Sequence, residues 1–264
     1  MTASPVILDV SAELTYDFAG ACETLVLLEA ARTADQAVRR EALEITPAAD
    51  VRRRDDEVAG ERAFVFTAAG RVALNYRARV AVERKLPMLA GAPQSAIRDL
   101  PLEALRYLRP SRYCPSDRFE LFVQREFAGA GGDKVRAILD WIGAHIDYRS
   151  GVSDARATAL DTFTDRAGVC RDFAHLAIAL CRAADIPARA VSAYAWRLDP
   201  PDLHAVAEVH VGGRWILVDP TGKTAPEHLV RIATGADAAD IAFLSIFGEA
   251  TLLEQAFAVT RAEA

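Results

Sequence analysis

Over the first hundred residues, apolar and polar positions follow the two-residue period of strands. Val6 to Leu14 alternates weakly, Leu25–Leu28 is a short apolar run, and Ala63–Thr67 is rich in β-formers. Val72–Val82 alternates for part of its length, as a strand with one face in a core does. Turn residues at Gly60 and Ala69-Gly70 separate these runs. The pattern predicts an antiparallel β-sandwich of ~90 residues, a domain over residues 1–95.

The period then changes. Between Lys85 and Ser116 the chain is interrupted by Pro87, Gly91, Pro93, Pro101, Pro110 and Pro115, which reads as a linker centred on residues 96–118. Beyond it, Asp133 is placed to cap a helix whose Val135, Ile138, Leu139 and Ile142 share one face. A second helix spans Cys170 to Arg182, with Phe173, Leu176, Ala177 and Leu180 as its buried stripe, and ends before Ile186-Pro187. Strands follow at Ala188–Ala195, Ala205–Val211 and Trp215–Val218. The last two form a hairpin about Gly212-Gly213, a pair suited to the positive φ of a two-residue turn. The tail from Ile241 to Val259 has mixed apolar segments without a clear period. The fold class is therefore α+β, with a second unit over residues 119–264.

Composition narrows the function. About half the residues are apolar and a quarter charged, the mix of a soluble globular protein. With 37 acidic and 31 basic residues the net charge is -6, which argues against a nucleic-acid partner. Arg52-Arg53-Arg54 is followed at once by Asp55-Asp56-Glu57 and reads as a solvated charged turn. The N-terminal residues show no basic and apolar signal pattern, and no apolar run approaches the ~20 residues of a membrane span, so no membrane partner is expected. Four cysteines without a CxxC pair fit a reducing cytoplasm.

Candidate chemistry gathers in the second unit. Cys170 opens a helix, after a loop over 162–168, and a helix N-terminus offers free N–H groups and a positive dipole end to an anion. Cys181, near the other end of the same helix, reads as an inert small hydrophobe. A thiol nucleophile needs a base, and the base needs an orienting group. With Val211 opposite Arg214, Val206 opposes Asp219, so His204 and Asp219 are diagonal neighbours on one face, about 7–8 Å apart at the backbone. A slip of one residue would separate them. Glu208 is in phase with His204 and is a candidate substrate contact, or a solvated strand residue. A zinc set from Cys170, His175, His204 and His210 is disfavoured. Cys170 and His175 are about 140° apart around a helix, and His204 and His210 about 20 Å apart along a strand. No calcium-loop spacing is present, and no metal or cofactor is expected.

Gly168-Val169-Cys170-Arg171-Asp172-Phe173-Ala174-His175 and the later Ile186-Pro187-Ala188-Arg189 resemble the nucleophile helix of bacterial transglutaminase-like proteins. Asp202–Val209 resembles that family's histidine strand, and Gly213–Thr221 its aspartate strand. Leu108–Asp117 is similar to the segment joining its N-terminal β-domain to its core. The resemblance implies a papain-like α+β core with Cys170, His204 and Asp219 as a catalytic triad, a thioester intermediate, and a peptide or protein amide as substrate. A segment resembling 231–240 runs near the family's active site, which makes Asp237 and Asp240 candidate substrate contacts. Two departures are Val206, where many relatives carry Trp, and Asp185, where Gly often precedes Ile-Pro. Bacterial relatives are usually read as peptidases or amidases. Transamidation and a catalytically silent scaffold on the same fold are the alternatives.

Overall fold

The computed structural model describes residues 5–57, 59–84 and 88–262, so Lys85 and Pro87 of the expected linker lie outside the described residues. The chain begins with β1 (Val6–Val26), β2 (Gln36–Thr46), β3 (Arg52–Asp56) and β4 (Glu61–Val82). The short α1 (Leu102–Leu105) and α2 (Glu120–Glu126) precede α3 (Gly131–His145). Then come β5 (Asp147–Tyr148), α4 (Ala159–Asp165), β6 (Ala167–Gly168) and α5 (Cys170–Ala183). The remainder is β7 (Ala188–Ala195), β8 (Leu203–Val211), β9 (Arg214–Val218), β10 (Leu229–Gly235), α6 (Ala238–Ile241), β11 (Leu244–Ile246) and β12 (Ala250–Arg261). The class is α+β with antiparallel main sheets.

The first sheet has six strands built on β1 and β4, which pair antiparallel from Val6 opposite Val82 to Val26 opposite Phe64, with one irregularity between Phe18 and Cys22. Gly70, expected to end a strand, lies inside β4 at φ 61° opposite Phe18, where the register shifts. A glycine in the left-handed region bends a long strand at such an irregularity without ending it. The triple arginine is likewise not a turn. Arg52–Asp56 is a fully exposed strand against β4, and its charges discourage pairing with another chain at that edge. The tail supplies β11 and β12, and both return to pair with β1 rather than staying with the second unit.

The second sheet, in the order β10-β7-β8-β9, is antiparallel throughout and carries α5 on one face. The expected stripe on α5 understates its burial. Every residue from Asp172 to Arg182 is buried, because α3 and α4 cover the sides that β7 and β8 leave. Burying Phe173, Leu176, Ile178 and Leu180 stabilises the core by about 2 kcal/mol each. At its C-terminus Asp185 adopts φ 58°, while Asp185 N–H donates to Arg182 O and Ile186 N–H to Cys181 O, both at 3.0 Å. This is a Schellman ending in which Asp185 takes the left-handed position that Gly usually fills. Arg182, 3% exposed, donates to Ala188 O, Arg109 O, Ser111 Oγ and Ala236 O. It thereby ties the 109–111 segment and the 236 turn to the end of the helix. Asp133 lies within the first turn of α3, not at its cap, and accepts from Gly91 N–H.

Candidate active site

Cys170 is the first residue of α5 and is partly exposed. The turn before it is held by Asp172. Its Oδ2 accepts from Val169 N–H at 2.9 Å and from the Ser153 hydroxyl, and its Oδ1 accepts from Arg171. A Cβ on Gly168 would lie 2.6 Å from Asp172 Cβ, so only glycine lets this carboxylate sit under the turn. The expected loop over 162–168 is instead the end of α4, a left-handed Arg166, and β6.

The histidine strand and the aspartate strand keep the register read from the sequence. Val211 opposes Arg214 and Ala207 opposes Val218, with both turn glycines at positive φ (61° and 73°). His204 Nε2 is consequently 3.0 Å from Asp219 Oδ2, both side chains being almost fully buried. Asp219 also accepts from Thr221 N–H and Oγ1 through Oδ1, and from Thr224 N–H through Oδ2. Burial works against its charge, but His204 and Thr221 hold its carboxyl below the usual range. Burial alone would lower the His204 pKa, yet the Asp219 carboxylate and the Cys170 side chain raise it to about 9. Nε2–H faces Asp219, and Nδ1 is buried without a hydrogen-bond partner, which leaves it available to the neighbouring Cys170 thiol.

The structure thus brings Cys170, His204 and Asp219 together and gives the other candidates different work. Glu208 is 1% exposed and enclosed by Arg189, at 2.6 Å, and Arg231, at 2.5 Å. Arg231 continues to Asp35 of the first sheet's β1–β2 connection, so Glu208 belongs to a buried ion-pair chain between the two sheets. This corrects the expectation of a substrate contact or a solvated residue. Asp237 is also buried; it caps α6 through Ala239 N–H and accepts from Tyr113 N–H. Asp240 is exposed and accepts from Ala236 N–H. His175, whose pKa burial lowers to about 4, stacks flat on Tyr113 and accepts from Ala238 N–H. His210 packs edge-on against Trp215. Among the described residues no group of three His, Cys, Asp or Glu side chains is placed to hold a metal ion.

Sequence reasoning missed three groups at the site. Asp172 was legible only as a helix-start acid, Thr221 only as a turn residue, and Tyr148 left no periodic trace. Tyr148 is joined to the start of α5 through the β5–β6 pair, opposite Gly168.

A helix-borne cysteine lies beside a histidine on β8, and that histidine bonds an aspartate one residue beyond the neighbouring antiparallel strand β9. The model of the transglutaminase-like superfamily matches residues 123–220, which hold all three side chains. A solved structure of a putative cysteine protease from Cytophaga hutchinsonii is 35% identical. It superposes with a TM-score of 0.94 over 99% of this chain and 92% of that one. The chain belongs to the transglutaminase-like superfamily. An uncharacterized protein of Mycobacterium leprae is 30% identical over 149 residues, 51% of this chain and 52% of that protein, so the match spans about half of that relative's length. No helix among the described residues is long and apolar enough to cross a membrane.

Proposed function

We propose that the protein is a thiol acyl-transfer enzyme that cleaves amide or peptide bonds through a thioester on Cys170. The observation that carries this reading is the 3.0 Å contact between His204 Nε2 and Asp219 Oδ2, which leaves Nδ1 for the thiol. His204 Nδ1 takes the Cys170 proton, and the sulfur attacks the amide carbonyl. The leaving amine then takes that proton from Nδ1 as the thioester forms. Asp219 fixes the tautomer and stabilises the imidazolium. Water, activated by the same nitrogen, releases the acid. The likeness to the Cytophaga protein, a putative cysteine protease by name, supports hydrolysis over transfer to an amine. Four free cysteines support a reducing compartment, and we place the protein in the cytoplasm.

The test is a mixed peptide library incubated with wild type and Cys170→Ala, with and without added primary amine. The products are read by mass spectrometry. Cleaved peptides from wild type alone are the expected result. Amine-adducted products without cleavage would move the reading to transamidation. Inert wild-type protein whose Cys170 also resists acylation would make it a silent scaffold.

A further inference from the structure

Acyl transfer through Cys170 needs two donors for the oxygen that becomes negative in the tetrahedral intermediate, and Cys170 N–H is only one of them. Tyr148 is placed to be the other. Asp147 N–H donates to Arg166 O at 2.8 Å and Arg149 N–H to Gly168 O at 2.9 Å, closing a two-residue parallel ladder with Tyr148 opposite Gly168. This fixes the Tyr148 backbone two residues from the nucleophile. The ring is fixed separately. It packs at 5.8 Å on Phe173, one turn into α5, and Lys223 Nζ lies 4.3 Å from its centroid. Lys223 comes from the turn after Asp219, so the phenol is held between the nucleophile helix and the aspartate loop. Its hydroxyl faces the start of α5, in the neighbourhood of the Cys170 N–H and thiol.

Neighbouring groups do not compete for the role. The Ser153 hydroxyl is bonded to Asp172, and the Asp202 carboxylate would repel an oxyanion. The phenol is 40% exposed, so an entering carbonyl can reach it. Burial raises its pKa further above the ordinary phenol value, so it carries its proton at neutral pH.

We infer that Tyr148 is the second oxyanion donor of the Cys170 acyl transfer, an assignment that rests on the proposed function. In the resting protein the hydroxyl lies near the Cys170 N–H. On substrate binding the carbonyl oxygen takes that N–H, and the phenol turns to donate to it. The sulfur electron pair forms the C–S bond while the carbonyl π pair moves onto oxygen, stabilised by Cys170 N–H and Tyr148 O–H. When that pair returns, the C–N bond breaks and the amine leaves with the proton from His204 Nδ1.

The experiment compares Tyr148→Phe with wild type in two reactions of the same thiol. Acylation by p-nitrophenyl acetate passes through an oxyanion, whereas alkylation by iodoacetamide does not. Tyr148→Phe is expected to slow Cys170 acylation about 10²–10³-fold. Its alkylation should stay within about three-fold of wild type, since Phe keeps the ring contacts. Equal acylation of wild type and Tyr148→Phe overturns the assignment while leaving Cys170 as nucleophile. Equal losses in both reactions also overturn it, because Tyr148 would then only position the thiol. Wild type that is acylated no faster than Cys170→Ala overturns the proposed function and this assignment with it.

Discussion

Helix α5 carries a cysteine near each end, and the two sit in opposite surroundings. Cys170 is its first residue, partly exposed and beside His204. Cys181 is 1% exposed, and burial pushes its thiol up to about 12. The backbone differs in the same sense. The N-terminal turn hangs on one carboxylate, Asp172, over a glycine, whereas the C-terminal turn has a Schellman ending and the four-acceptor grip of Arg182. One end of the helix anchors the core, and the other holds a reactive group at the edge of solvent. Residue type decides little here; position on the helix and the partner across the gap decide which sulfur reacts.

The largest effect belongs to the working end. Cys170→Ala or His204→Ala should lower turnover of any substrate by about 10⁴-fold or more. Cys181→Ala should leave turnover unchanged, which steady-state kinetics will show. At the anchored end, Arg182→Met strands the carbonyls of Arg109, Ala188 and Ala236 and should cost about 3–5 kcal/mol. A lower urea midpoint at unchanged m-value checks it.

The third prediction concerns pH. His204 has a folded pKa of about 9 against 6.5, so protonation favours the folded state. Its contribution is fully present below pH 6.5 and is lost as pH rises through about 9. The loss amounts to up to about 3 kcal/mol. Urea unfolding at pH 6 and above 9 should show it in wild type and a flatter dependence in His204→Gln. Gly168→Ala forces a Cβ against Asp172 and should cost about 2 kcal/mol and slow Cys170 alkylation. The smallest effect is a gain. Asp185→Gly relieves the left-handed residue at the helix end and should add about 0.5–1 kcal/mol, visible as a small rise in melting temperature without a change in activity.

The hairpin was legible because a two-residue Gly212-Gly213 turn admits one register, and that register alone puts His204 and Asp219 on one face. Cys170 was legible because a helix start is marked by its apolar period. Tyr148 was hidden because β5 and β6 are two residues each, too short to show any period. The second place of β12, beside β1, depends on contacts between the two ends of the chain, which local pattern does not carry. Glu208 was misread because alternation reveals a face but not the arginines that close over it.

The central claim is that His204 sets the reactivity of Cys170. Site-resolved alkylation by iodoacetamide across a pH series, read by mass spectrometry on wild type, His204→Ala and Asp219→Asn, tests it most directly. Partly exposed Cys22 and buried Cys181 serve as controls. The account predicts that Cys170 reacts far faster than either control in the wild type, and that His204→Ala slows it at least about ten-fold, a change worth about 1.4 kcal/mol in the activation barrier. Asp219→Asn should fall between. A Cys170 that reacts at the same rate in wild type and His204→Ala, or no faster than Cys22, contradicts it.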